Sequence, residues 1–512
     1  MTKKILALLL AILIVFSCFA LTSCGEEEKK PDDKKDDKKE ETQGDNHSDY
    51  NTEGEIHVTL KDDELEIPED AKQICDGTTF TVFAPYPGGP DRFVREALND
   101  SPVNDAIYNR NLALEDSLGV TVKSVDFNTY TDAQAQKIFE IISSGDHSFD
   151  VAAIHSTSAC ASLLMTHSAL SFDYLEYCDL SKPWWIQNFN EQCSILDEDF
   201  FGISSACYSY YDSAACILFN KDIAEERNLP NLYDLVRKGE WTVDKMIELT
   251  KNFSEDLNGD GVYDENDRLA VVSDDHAYLN YWYGAFRQST VEKGENDAPT
   301  VVAGSARMAT VIDKLNNLFN SGKRGYIYPM GYRTKGDTRM TDAFAEGKIL
   351  FYIGSASTAT GLRDFDINFG IIPLPKLDKN QENYGSWVDP WHLTFCVPSD
   401  CVDPEKTSII LEAMSYYSYH MIYPALVEQQ LFGSGTRDIE SLEMLEKYIF
   451  PNIFFDFGYI YDGWGMGYSS LIRTLIPNKS SDIASYIAEK KNEADNHFSK
   501  VYDAMVDYVD SL

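Results

Sequence analysis

Short apolar runs rich in strand formers alternate, over much of the chain, with longer stretches of helical spacing. Thr79-Phe80-Thr81-Val82-Phe83-Ala84 predicts a strand, and Pro85-Tyr86-Pro87-Gly88-Gly89 a turn-rich loop behind it. Asp105 to Leu118 has helical spacing, with Ile107, Leu112, Leu114 and Leu118 as the expected buried stripe. Gly119 stops that helix, and Val120-Thr121-Val122 opens a second strand. Ala133 to Ser143 predicts another helix, and Phe149 to Ile154 a third strand that runs into His155-Ser156-Thr157. Strand, helix, strand, helix, strand is the doubly wound pattern, in which ligands sit beyond the carboxyl ends of the strands. Tyr86 and His155 are therefore candidate ligand contacts, although a lone histidine also has a purely structural reading.

The same grammar returns between Gly347 and Pro398. Ile349-Leu350-Phe351-Tyr352-Ile353 is closed by Gly354, and Ser355 or Ser357 can cap a following helix. Phe369-Gly370-Ile371-Ile372 is a second apolar run, stopped by Pro373 and Pro375. A polar spacer leads to Gly385-Ser386-Trp387, and Leu393 to Val397 resumes as a strand. Two buried strands joined through one helical turn predict a parallel α/β unit, with Ser355 at its ligand-facing end. Thr242 caps an expected helix start at Trp241-Thr242-Val243-Asp244. Arg307–Phe319, Lys406–Tyr419, Leu442–Phe450 and the amphipathic tail Ser480–Leu512 also read as helices.

The ends change the picture. Lys3 and Lys4 precede the apolar segment Ile5 to Ala20, the pattern of a secretory signal peptide over residues 1–23. It runs into Leu21-Thr22-Ser23-Cys24, similar to a bacterial lipobox, so Cys24 is the expected lipidation site. Acids and lysines then interleave, with nothing apolar to bury before Tyr50; residues 24–75 are expected to be a disordered, lipid-anchored tether. These features predict a bacterial protein on the extracytoplasmic face of the cell membrane.

The formal net charge of −40 disfavours nucleic acid, whose phosphates need clustered Lys and Arg. Ten cysteines, two of them Cys18 and Cys24, form no dense framework and no C-x-x-C, which leaves buried thiols and disulfides both open. The sequence carries no P-loop, no G-x-S-x-G, no H-E-x-x-H and no clustered His/Cys signature.

Three segments taken together, "GK" with its apolar run and "GS", then "FGIIPLPK", then "YGSW", resemble the extracellular solute-binding proteins of ABC importers, the large sugar-binding class. "ALEDSLGVTV", "SGDHSFDVAAI", "DLSKPWW" and the Asn220-Lys221-Asp222 segment are similar to that family as well. The resemblance implies an α/β, two-lobe periplasmic-binding-protein-like fold of type II. Each lobe would be a mainly parallel sheet flanked by helices, with a hinged cleft between them. Residues 76–215 and 388–425 would form lobe 1, and 216–387 and 426–512 lobe 2. The implied function is non-enzymatic: a monomer that captures a carbohydrate and delivers it to permease subunits in the membrane. Tyr211 and Asp212 would lie near the hinge and cleft, and Trp282 and Trp387 would offer aromatic planes to sugar rings. A helix whose aromatics fill the core competes as an account of Trp282. A secreted glycoside-active enzyme, using two carboxylates on one cleft, and a passive adhesion lipoprotein are the alternatives.

One acidic loop stands apart. Asp256, Asn258, Asp260, the Val262 carbonyl, Asp264 and Asp267 follow the spacing of a calcium loop, with Gly261 at its sharp turn. Asp rather than Glu at the last position, and a strand-like Leu269 to Val272 in place of an exiting helix, depart from an EF-hand. The expectation is one structural Ca²⁺.

Overall fold

The computed structural model of the protein describes residues 60–511, apart from 62, 86–87, 131–132, 276, 330–337, 363–364, 389–391, 429–437 and 463–466. The signal segment and Cys24 lie outside the described residues. So does Tyr86.

The chain lays down β1 (Thr79–Phe83), β2 (Thr121–Val125), β3 (Val151–His155) and β4 (Ala169–Leu170) in one sheet. It then enters a second sheet with β5 (Ala215–Asn220) and β6 (Leu269–Asp274), and makes a small hairpin of β7 (Val291–Lys293) and β8 (Pro299–Val301). The second sheet is completed by β9 (Gly325–Tyr328), β10 (Ile349–Ser355) and β11 (Phe369–Ile372), and β12 (Leu393–Pro398) returns to the first. The orders are β2-β1-β3-β12-β4 and β11-β5-β10-β6-β9.

Each sheet is mainly parallel, with four of its five strands running one way and a single strand reversed. β1 runs parallel to β2 and β3, and β6 to β9 and β10. The strand that arrives from the other sheet is antiparallel: β12 to β3 and β4, β5 to β10 and β11. The cause is where the chain enters. Leu393 starts β12 opposite His155, the last residue of β3, and Ala215 starts β5 opposite Ser355, the last residue of β10. A strand that begins where its neighbours end must run the other way. β3, β5, β6, β10, β11 and β12 are buried along their whole length, as strands covered on both faces are.

The helices follow from capping and spacing. α1 (Pro102–Leu118) opens with Pro102 in its first turn and stops at Gly119, whose φ of +68° suits glycine. α2 (Gln134–Ser144) and α3 (Ser156–Met165) follow β2 and β3. The short α4 (Ser209–Asp212) precedes β5, α5 (Ala356–Gly361) follows β10, α6 (Pro404–Pro424) follows β12, and α7 (Ile483–Val509) ends the chain. The buried stripe of α1 is not the expected one: Leu112 is 42% exposed, and Arg110 is fully buried in line with Val103, Ile107, Leu114 and Leu118. Arg110 satisfies its guanidinium by donating to Ser418 Oγ on α6 (3.1 Å) and to the Phe93 carbonyl (2.7 Å), and burial pulls it down to about 10.

Both ends depart from the expected boundaries. The tether, expected through residue 75, gives way earlier to ordered chain: Leu60, Leu65, Ile67, Ile74 and Cys75 pack on the core and Ala71–Cys75 is helical. Lys182 grips this segment through Asp63 (3.1 Å) and Glu66 (2.7 Å). These apolar side chains have a core to pack against, and their burial offsets the entropy lost on ordering the segment. The C-terminal segment, expected wholly with the second lobe, touches both. His167, next to α3, meets the Ala504 carbonyl of α7 at 3.0 Å and stacks on Tyr508, while the Ile472 amide donates to the Tyr283 hydroxyl beside the second sheet.

Candidate functional site at the seam between the sheets

The carboxyl ends of β1, β3, β6 and β10 face the line where the chain passes from one sheet to the other. Two passages run side by side there. Ala214 pairs with Val388, the Ala215 amide donates to the Trp387 carbonyl (2.7 Å), and Ser386 Oγ donates to the Ala215 carbonyl (2.8 Å). A third segment lies against the second passage: the Ser386 amide donates to the Asn452 carbonyl, and the Phe454 amide to the Ser386 carbonyl, both at 3.0 Å. The glycine of "YGSW" has a packing reason. A Cβ on Gly385 would strike the Gly284 backbone, and one on Gly284 the Ser386 carbonyl, so helix Ala277–Ala285 and the passage meet backbone to backbone.

Several of the expected ligand residues gather at this seam. Asp212 ends α4, two residues before the first passage, and α4 touches α5 of the other sheet. Asp212 is half-buried, and its Oδ1 is enclosed with no hydrogen-bond partner among the described residues. Burial pushes its carboxyl up to about 6, against the pull of the nearby Arg92 guanidinium. Tyr211 is turned inward instead: it packs against Tyr423 at 4.6 Å and Phe450 at 5.3 Å, with its hydroxyl 3.4 Å from Ser205 Oγ.

Ser355 is buried, and its hydroxyl is engaged in capping α5, where Ser355 and Thr358 accept from one another's backbone amides. Ser357, one step along and 2.9 Å from it, is the exposed hydroxyl of the pair. His155 is 5% exposed at the end of β3, where Gln134 clasps its backbone from both sides (3.0 and 3.1 Å). Trp387 is buried in the second passage between Tyr459 (4.9 Å) and Tyr283 (6.0 Å).

Trp282 belongs elsewhere. It is fully buried, with Phe286 at 5.2 Å and Phe319 at 6.0 Å, in a helix whose every described side is covered. An enclosed indole cannot present its face to a ligand in this conformation, so the core reading fits it here. Three residues that the sequence did not single out lie in the loops behind β1 and β2 or at the start of α4. Arg92 and Tyr208 meet as a cation over a ring, 5.5 Å to the centroid, and Tyr130, in the loop behind β2, is 60% exposed. The rule that loops behind parallel strands carry ligand contacts would have reached Arg92 and Tyr130 as readily as Tyr86.

The acidic loop lies at the opposite end of β6, away from the seam. Its side chains hold the loop's own backbone. Asp256 accepts from the Gly259 and Gly261 amides (2.6 and 2.8 Å), Asn258 from Asp260 (2.9 Å) and Asp260 from Val262 (2.7 Å). Asp267, fully buried, accepts from Leu257 (2.8 Å) and Asp264 (3.1 Å), and Asp264 accepts from Asn266 (2.9 Å). Among the described residues no three His, Cys, Asp or Glu side chains converge as a metal site.

No protein-family model and no curated protein matches this sequence. Solved structures do. The galacto-N-biose-/lacto-N-biose I-binding protein of the ABC transporter from Bifidobacterium longum, in complex with lacto-N-biose, superposes with a TM-score of 0.51 at 13% identity, over 82% of this chain and 98% of that one. This is the fold of the two-lobed solute-binding proteins. A family 1 extracellular solute-binding protein from Bifidobacterium longum subsp. infantis gives a TM-score of 0.49 at 14% identity, over 83% and 99%. Among the described residues no helix is long and apolar enough to cross a membrane.

Proposed function

We propose that this protein is the extracytoplasmic solute-binding component of an ABC importer, which captures a carbohydrate at the seam between its lobes and hands it to a membrane permease. The observation that carries the reading is the paired passage at Ala214–Ala215 and Ser386–Val388, which joins two sheets whose strand ends face it. Two lobes joined by short adjacent strands can close on a solute by bending at the joint. The solved structure most alike in fold among those described above is a sugar-binding protein, which supports carbohydrate as the class and binding rather than hydrolysis as the activity. A thermal-shift screen of mono- and oligosaccharides tests it, because a ligand that binds only the folded chain raises Tm by mass action. A sugar that shifts Tm supports the reading; a full panel without any shift counts against it.

Two further parts of the reading concern residues away from the cleft. Cys24 carries the lipid that tethers the protein to the membrane surface, as the basic, apolar and small-residue order before it suggests. Cys24→Ala should then leave the membrane fraction. The Asp256–Asp267 loop holds one structural Ca²⁺ through Asp256, Asn258, Asp260, the Val262 carbonyl, Asp264 and Asp267, a reading supported by their spacing and by six oxygen donors within one turn.

A further inference from the structure

Two opposite charges stand near one another at the seam, and neither side chain has an ion pair or hydrogen bond among the described residues. Arg92 ends the helical turn Pro90–Arg92 behind β1, and its guanidinium lies over the Tyr208 ring. Its neighbour Arg95 is paired with Asp91 at 3.7 Å, whereas the Arg92 guanidinium has no ion pair or hydrogen bond among the described residues. Acidic partners are abundant in a chain with 84 Asp and Glu against 44 Lys and Arg, and Arg227, Arg237 and Arg339 each take at least one. Asp212 is the counterpart: its side chain too has no ion pair or hydrogen bond among the described residues, and its Oδ1 is enclosed.

Arg92 and Asp212 both lie on first-lobe elements, before the first passage. Closing the hinge therefore leaves their separation unchanged and does not pair them. What can satisfy both is a molecule placed between the lobes. A guanidinium stacked on a ring keeps its forked N–H edge free, and that edge matches the two oxygens of a carboxylate. A carboxylate such as Asp212 accepts from hydroxyl groups.

We propose that Arg92 reads an acidic group on the ligand, so that the captured solute is a carboxylate-bearing sugar whose acid lies on Arg92 and whose hydroxyl donates to Asp212. The assignment rests on the reading of the seam as a carbohydrate site. It also lets a chain of net charge −40 take up an anion: the long-range field opposes it, and an arginine free of an ion pair among the described residues supplies the local attraction.

The test is calorimetric titration of the full chain with oligosaccharides of galacturonate and glucuronate, each beside its carboxyl-reduced neutral counterpart. The acid form is expected to bind about ten- to hundredfold more tightly, the range of a hydrogen bond to a charged group. Arg92→Gln should erase that preference with Tm retained, and Arg92→Lys, which keeps the charge but loses the fork, should retain part of it. If the wild-type chain binds the neutral sugars as tightly as the acids, the acid-reading role of Arg92 is overturned while carbohydrate capture stands. If it binds neither form, both readings fall.

Discussion

Glu412 and Asp212 are both carboxylates taken out of water, and the protein treats them in opposite ways. Glu412 is 1% exposed on α6, and each of its oxygens accepts from an indole: Trp184 Nε1 on one side and Trp185 Nε1 on the other, both at 2.8 Å. Burial still pushes its carboxyl up to about 8, because two neutral donors do not replace the water it has lost. Asp212 has given up water on one oxygen and gained no donor. The first arrangement is complete as it stands and ties the Trp184-Trp185 pair to α6. The second is complete only when something else arrives. The Glu412 arrangement is accounted for by structure alone, whereas the orphaned Asp212 oxygen is one that the proposed ligand would satisfy.

The largest expected effect tests the structural half of that contrast. Glu412→Ala leaves two buried indole N–H groups without an acceptor and opens a cavity, and should cost about 3–5 kcal/mol. Chemical unfolding would read it as a lower midpoint at an unchanged slope. Wild-type stability also carries a signature of this group. Its pKa is raised by folding, so its contribution is complete below about pH 4.5 and is lost as pH rises toward 8. A Glu412→Ala protein as stable as wild type would mean the indole pair needs no acceptor, and the contrast with Asp212 would lose its footing.

How far the sequence carried this can be seen residue by residue. β3, β10, β11 and β12 were legible because strands buried on both faces read as unbroken apolar runs. The end of β10 was legible too, since Gly354 and Ser355 punctuate it. Arg110 was not, because a buried arginine is tolerable only where partners such as Ser418 and the Phe93 carbonyl wait for it, and these come from distant parts of the chain. Trp282 and Trp387 could not be told apart from one another, as an aromatic-rich segment without a polar face gives no sign of which side is covered. Arg92 carries no pattern at all: one cation in a polar turn becomes visible only when Tyr208 is placed beneath it and no ion pair is found for it among the described residues. The fold was written in periodicity, whereas the seam depends on residues brought together from Arg92 to Asn452.

The acidic loop falls between the two cases and gives an intermediate effect. Its carboxylates are satisfied, but by amides of the same tight loop, so a cation would compete with those bonds rather than fill a gap. If the proposed Ca²⁺ binds, adding it at about a hundredfold over its Kd should stabilise the chain by about 2.7 kcal/mol. Asp260→Ala should remove the response. Equal shifts in both proteins, or no shift in wild type, would leave the loop as a self-capped turn, satisfied in the manner of Glu412.

The smallest expected effect is the most discriminating. Asp212 titrates at about 6 in the fold against an ordinary 3.8. Folding favours its neutral form, so whatever it adds to stability is complete below about pH 3.8 and lost as pH rises through 6. Above that, Asp212 contributes an uncompensated, half-buried charge, and Asp212→Asn should lower stability at pH 8 by no more than about 0.5 kcal/mol, or raise it. Sugar affinity should move the opposite way along the same axis. As pH falls through 6 the carboxylate takes a proton and ceases to be a pure acceptor, so wild-type affinity should weaken while the stability of the free protein gains. Asp212→Asn should bind weakly at both ends, with little pH dependence. Parallel unfolding and titration series at pH 5 and pH 8 separate the two trends. Should Asp212→Asn instead destabilise the fold as strongly as Glu412→Ala, then Asp212 is held by contacts of its own, and the contrast between the two carboxylates fails.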